Sequence, residues 1–165
     1  MPFDDYASND VLRAHGSAGG PLSVLIVDDS RTIRYLYRVT LEAEGFRVLV
    51  AEDGVVGLQS ALVERPDVLI VDMVMPQMDG MTMITLLRQQ EASRGMLRAP
   101  VIVLSGMETS RERNGELGIV ATLDKAALTP KDVAQAIKTL VATMPTRTVQ
   151  GAPADSAAST LLSAL

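Results

Sequence analysis

The sequence predicts an α/β fold, a doubly wound parallel sheet with helices on both faces, and three observations carry that prediction. Short runs of Val, Ile and Leu recur along the chain with little polar alternation, which is how strands covered on both faces read. Segments with helical periodicity separate them. Acidic residues stand where the first and third runs end, and a parallel sheet gathers such ends on one edge.

In chain order, "SVLIVDD" (23–29) is the first strand, and 30–44 follows as a helix with Ile33, Leu36, Tyr37, Thr40 and Leu41 on one side. "FRVLVAE" (46–52) carries Arg47 and is less uniformly apolar, which suits an edge strand. A helix over 54–64 leads to the third strand, "DVLIVDM" (67–73), and a helix over 80–92 leads to the fourth, "PVIVLSG" (100–106). The next helix, roughly 108–116, contains "RNGEL"; Asn-Gly is a poor helix interior, so this element is expected to be short or irregular. "GIVATLD" (118–124) is the fifth strand. The last helix, 130–143, opens on Thr-Pro, a cap followed by proline in the first turn, and shows its period through Val133, Ala136, Ile137, Leu140 and Val141. Strictly alternating strands and helices imply right-handed crossovers and a ligand crevice at the carboxyl ends of the strands.

The 165 residues, 47% of them hydrophobic, suffice for one domain with a sizeable core. That domain is placed at 22–143. Residues 1–21 end in "GSAGGP" and read as a flexible arm, with His15 a solvated residue in it. Residues 144–165, rich in Ala, Ser, Thr and Pro, read as a tail or linker, and the closing "STLLSAL" is too short for a stable helix without a docking surface. A net charge of -5 with no Lys/Arg block argues against nucleic-acid binding by this segment. The absence of cysteine excludes disulfides, thiolate metal sites and cysteine nucleophiles. No apolar stretch approaches the roughly 20 residues of a membrane span, and the N-terminus lacks the pattern of a signal peptide, so a cytoplasmic protein is expected.

If the strands are parallel, Asp28 and Asp29 close the first, Asp72 the third and Ser105 the fourth, while Lys125 follows the fifth. Capping of the next helix is a sufficient account of Asp29 taken alone. It accounts neither for the second aspartate nor for the lysine. Clustered carboxylates repel unless a cation compensates, and oxygen-only ligands on a loop rim suit Mg²⁺, which keeps positions for waters and phosphate oxygens. With such an ion in place Asp72 is positioned to attack phosphorus and form an aspartyl phosphate. The Ser105 hydroxyl and the Lys125 ammonium would then neutralise charge on the phosphoryl oxygens.

Together "VLIVDDSRTIRYL", "PDVLIVDMVMPQMDG", "VIVLSG" and "TLDKAAL", in this order and at these separations, resemble the receiver domain of bacterial two-component response regulators over residues 22 to about 142. The resemblance implies a flavodoxin-like sheet of strand order 2-1-3-4-5, with the less apolar second and fifth strands at its edges. It implies that Asp72 accepts a phosphoryl group from a histidine kinase or a histidine phosphotransfer protein. Mg²⁺ would be held by Asp28, Asp29, Asp72 and the backbone carbonyl of Val74. Ser105 takes the switch-hydroxyl position, Lys125 pairs with the phosphoryl group, and Asp79 in "MPQMDG" is a helix cap.

The chain departs from the family pattern at several points. Thr122 stands where an aromatic ring usually turns inward, so ring rotation cannot be the readout. Ala126 replaces the proline that usually follows the lysine, leaving a trans bond or a strained loop as alternatives. Val74 and Met107, two positions that tune hydrolysis, are apolar. Met73, Met75, Met78, Met81 and Met83 are read mainly as core packing, and Arg31 and Arg34 as ordinary solvated charges. The resulting expectation is a switch that binds a downstream protein target, is not a turnover enzyme, and leaves pairing of two phosphorylated copies open. Two alternatives stand beside it: a phosphorylation-independent binding module, and an N-terminal fragment of a larger regulator. A Mg²⁺-dependent phosphohydrolase is disfavoured by Val74, where that chemistry would want a second acid.

Overall fold

Each apolar run forms a strand of one five-stranded parallel sheet in the computed structural model, which describes residues 20–105 and 111–143. The elements are β1 (Ser23–Val27), α1 (Arg31–Ala43), β2 (Arg47–Ala51), α2 (Gly54–Glu64), β3 (Val68–Asp72), α3 (Gly80–Ser93), β4 (Val101–Leu104), α4 (Arg111–Glu116), β5 (Ile119–Leu123) and α5 (Pro130–Thr143). The spatial order is β2-β1-β3-β4-β5, as expected, with the less apolar β2 and β5 at the edges. The flexible arm at 1–21, His15, Met107 and the tail at 144–165 were sequence expectations that lie outside the described residues, apart from Gly20 and Pro21 at the end of the arm.

The lack of alternation in the central strands has a direct cause. Val24 and Ile26 of β1 face one core with Tyr37, Leu41, Val133 and Ile137, while Leu25 and Val27 face a second core with Ala61, Met83, Ile84 and Leu87. Both strand faces are therefore buried, and each fully buried Leu or Ile stabilises the fold by roughly 1.5–3 kcal/mol. The methionines belong to the second core: Met75 and Met83 are buried, and Met73, Met78 and Met81 pack against it.

Short polar side chains start the helices. Ser30, Asp53 and Asp79 accept hydrogen bonds from the N–H groups of Ile33, Val56 and Thr82, each satisfying a donor that the first turn leaves free. Asp79 is thus a cap, as expected. Thr129 and Asp132 cap α5 reciprocally, with Thr129 N–H donating to Asp132 at 2.8 Å and Asp132 N–H donating to the Thr129 hydroxyl at 3.3 Å.

Two helix faces differ from the sequence expectation. In α1 Tyr37 and Leu41, one turn apart, carry the buried stripe, and Leu36 is nearly half exposed because it lies on the flank of that stripe. In α5 Ala134 rather than Ala136 is fully buried. The described part of α4 runs through the Asn114-Gly115 pair, and residues 108–110 of the expected helix lie outside the described residues. No helix among the described residues is long and apolar enough to cross a membrane.

Candidate functional site

The carboxyl ends of β1, β3, β4 and β5 meet at one edge because the sheet is parallel and in register: Val27 pairs with Val71, Asp72 with Leu104, and Leu104 with Leu123. Asp28, Asp72, Ser105 and Lys125 follow from those pairings. The first two aspartates divide their roles at once. Ser30, not Asp29, caps α1, so the capping account of Asp29 falls away and its carboxylate stands exposed at the rim.

Asp28 is 0% exposed. Its N–H donates to the Ala51 carbonyl at 3.2 Å, and its Oδ1 accepts from Ser30 N–H at 2.9 Å. Its Oδ2 meets Lys125 Nζ at 2.7 Å. Asp72 is buried as well; Oδ1 accepts from Val74 N–H at 3.2 Å and Oδ2 meets the same Lys125 Nζ at 2.7 Å. One ammonium therefore bridges two buried carboxylates. Burial opposes the charge on Lys125, but hydrogen bonds to Asp28 and Asp72 outweigh it, and its pKa lies above the ordinary 10.5. The lysine is charged throughout the neutral range.

Carboxylate oxygens of Asp28, Asp29 and Asp72 lie within 4.8 Å of one another. Three carboxylates against one ammonium leave an excess of negative charge, and an all-oxygen donor set with one solvent-facing member fits a hard divalent cation such as Mg²⁺. Ser105 is buried at the end of β4, its N–H bonded to the Leu123 carbonyl at 3.0 Å. Val74, next to the site, is 70% exposed and offers only an apolar side chain to water there.

Local backbone geometry explains how the loops hold these groups. The peptide bonds among the described residues are all trans, so the bond after Lys125 is trans. Asp124 shapes that turn without proline: its Oδ1 accepts from Ala126 N–H at 2.8 Å, and its carbonyl accepts from Ala127 and Leu128 at 3.1 and 3.2 Å. After β3, Met78 N–H donates to the Pro76 carbonyl at 2.8 Å around Gln77, whose φ is +67°. This is a γ-turn at a residue other than glycine. Gly80 then brings α3 against the strand end; a Cβ there would lie 2.3 Å from the Asp72 carbonyl oxygen. Thr122 is exposed on β5, and a register shift between Val101 and Ile102 directs Ala121 and Leu123 toward the core shared with α5.

Sequence reasoning missed Arg34. It is not a solvated charge, since its Nη1 donates to the carbonyls of both Asp28 and Asp29, at 2.7 and 2.9 Å, and its side chain is only 15% exposed. The signal was present in the spacing. Helical side chains lean toward the N-terminus, so a long cation in the first turn of α1 reaches back over the residues preceding it. Arg31 is exposed, as expected.

The family model described as "Response regulator receiver domain" matches residues 24–138. Among curated proteins, the chain is 30% identical over 120 residues to the alkaline phosphatase synthesis transcriptional regulatory protein PhoP of Bacillus subtilis, covering 72% of this chain and 48% of that protein. It is 40% identical over 105 residues to the KDP operon transcriptional regulatory protein KdpE of Escherichia coli, covering 64% and 41%. The chain thus spans less than half the length of these relatives. Among solved structures, the Vibrio cholerae chemotaxis protein CheY4 is 31% identical with a TM-score of 0.62, covering 73% of this chain and 98% of that one. The receiver domain of Francisella response regulator 1452 is 26% identical with a TM-score of 0.63, covering 73% and 97%.

Proposed function

The chain belongs to the response regulator receiver domain family, whose members accept phosphoryl groups in signal transduction, and from that premise we propose that it is a phosphorylation switch with Asp72 as acceptor. The observation that carries this reading is the double bridge of Lys125 to Asp28 and Asp72 at 2.7 Å each, with Asp29 completing the acidic set. The donor is a histidine kinase or a histidine phosphotransfer protein in the cytoplasm, and the output is altered binding to a downstream protein. No substrate is turned over.

In this reading an Asp72 oxygen attacks phosphorus while the bond to the donor breaks. Mg²⁺ would be held by Asp28, Asp29, Asp72 and the Val74 carbonyl, and supplies positive charge to the phosphoryl oxygens. Lys125 exchanges its contact with Asp72 for the new phosphoryl group and keeps Asp28. Ser105 turns its hydroxyl toward the same group. Added phosphate charge of about -1.5 to -2 is thereby converted into a shift of α4.

Movement there is favoured by the weakness of α4. Its described part, Arg111–Glu116, holds the Asn114-Gly115 pair, and the buried Asn114 Oδ1 has no hydrogen-bond partner among the described residues. With Thr122 exposed and without a ring, the readout runs through α4. Driving the active state from 1% to 99% takes about 5.5 kcal/mol of preference.

The test is intact mass after incubation with acetyl phosphate. One phosphoryl group is expected in the presence of Mg²⁺, with none on Asp72→Asn and none after removal of Mg²⁺ by a chelator. Uptake by none of these samples would instead favour a phosphorylation-independent binding module.

The acyl phosphate should also be long-lived. The Val74 side chain gives no polar atom to orient an attacking water, so decay of the phosphorylated mass is expected over many minutes, and Val74→Asn should shorten it. A lifetime of seconds in the unaltered chain would contradict this.

A further inference from the structure

The metal seat depends on two consecutive aspartates that must point the same way, although only one of them is buried. Asp28 is fixed by its N–H bond to Ala51 and its side-chain bond to Ser30. Asp29 has no such anchors. Among the described residues its only hydrogen bond is through its own carbonyl, and the donor is Arg34 Nη1 at 2.9 Å. The same nitrogen donates to the preceding carbonyl, that of Asp28, at 2.7 Å.

Holding two successive carbonyl oxygens on one guanidinium fixes the orientation of two peptide planes. The direction of the intervening Cα–Cβ bond, which carries the Asp29 carboxylate, is set by those planes. Arg34 sits in the first turn of α1, where its N–H donates to the Ser30 carbonyl at 3.0 Å, and its largely buried side chain brings Nη2 to 3.9 Å from Glu52 Oε2 just after β2. A planar guanidinium with several donors suits this clamp, whereas an ammonium on a shorter stem does not reproduce it.

We propose that Arg34 is a positioning residue that aligns Asp28 and Asp29 for divalent-cation binding by clamping their two carbonyls. The inference rests on the metal seat of the proposed function. Its effect has a sign opposite to that of its charge. A guanidinium next to a cation site repels the cation, so an Arg34 acting through charge alone would weaken Mg²⁺ binding, and its removal would tighten it. Outer-shell partners that orient ligands act in the other direction, and their loss costs about 10–100-fold in metal affinity.

The experiment is a Mg²⁺ titration of the full chain followed by backbone amide NMR shifts at Asp29 and Val74, for the unaltered protein, Arg34→Ala, Arg34→Lys and Arg38→Ala. Arg34→Ala should weaken Mg²⁺ by about 10-fold or more, and Arg34→Lys, which keeps the charge, should weaken it in the same direction. Arg38 is exposed and paired with Glu42 on the same helix, so its loss should leave the affinity within about twofold. Tighter binding by Arg34→Ala, or a lysine variant indistinguishable from the unaltered chain, overturns the clamp while the metal seat stands. An unaltered chain that binds no Mg²⁺ overturns the metal seat and the clamp with it.

Discussion

Replacing Arg88 with alanine should lower the unfolding free energy by about 3–5 kcal/mol, because it strips the counter-charge from a buried carboxylate. Arg88 and Glu91 are both almost fully buried, one turn apart on α3, with Nη1 and Oε2 at 2.6 Å. The other arginine donors leave the helix. Nε donates to the Leu117 carbonyl and Nη2 to the Ala99 carbonyl, each at 2.7 Å, so one side chain ties α3 to the segments that lead into β4 and β5. Arg88→Ala leaves the Glu91 charge and two carbonyls without these donors and opens a cavity as well. Urea unfolding should show the loss as a lower midpoint at unchanged slope. Changing both partners to apolar residues, Arg88→Met with Glu91→Leu, should recover much of it, since the cost lies mainly in an uncompensated charge. A loss below about 1 kcal/mol for Arg88→Ala would show that water or local rearrangement already screens the pair. This network sits at the amino ends of the strands, away from Asp72, so the folded fraction should take up phosphate normally.

Replacing Lys125 with methionine should move two properties in opposite directions. Phosphoryl uptake from acetyl phosphate should fall by about 100-fold, the usual cost of removing one preorganised donor from a developing anion. Mg²⁺ should bind more tightly, because the lysine competes for Asp28 and Asp72, which it contacts at 2.7 Å each. Loss of uptake together with loss of Mg²⁺ binding would mean that the lysine holds the aspartates in place instead of acting on phosphate. The pH dependence has a defined sign. The folded pKa of Lys125 is raised above its ordinary 10.5, so its contribution to stability is full below that ordinary value and is lost as pH rises through the higher folded one. Uptake across neutral pH should accordingly show no step from this residue.

Much of this architecture is legible in the sequence, and the reasons are particular. The unbroken apolar runs at 23–27 and 68–72 are central strands because neither face meets water. Arg47 in the second run marked an edge, where a side chain can reach solvent and pair with Glu64 at 3.0 Å. Asp28, Asp29, Asp72, Ser105 and Lys125 could be assembled from sequence because a parallel sheet delivers every strand end to one side. Side chains that act across elements were harder to read. Arg34 and Arg88 each look like a surface charge in a polar stretch, and only the packing of α1 on the β1 end, or of α3 under β4 and β5, gives them carbonyls to hold. The γ-turn at Gln77 was hidden for a different reason: a positive φ is expected of glycine, and here glutamine adopts it around a bond from Met78 N–H to the Pro76 carbonyl. Ala126 illustrates substitution of means, since Asp124 supplies through its side chain the turn that proline would have supplied through its ring.

The central claim, that the carboxylate of Asp72 carries the phosphoryl group, is tested most directly by reductive trapping. An acyl phosphate is reduced by borohydride to an alcohol, which converts the phosphorylated aspartate to homoserine and marks its position for peptide mass spectrometry. After phosphorylation with acetyl phosphate and Mg²⁺, homoserine is expected at position 72 and nowhere else. Homoserine at position 28 or 29, or a phosphorylated chain that yields none, would contradict the account.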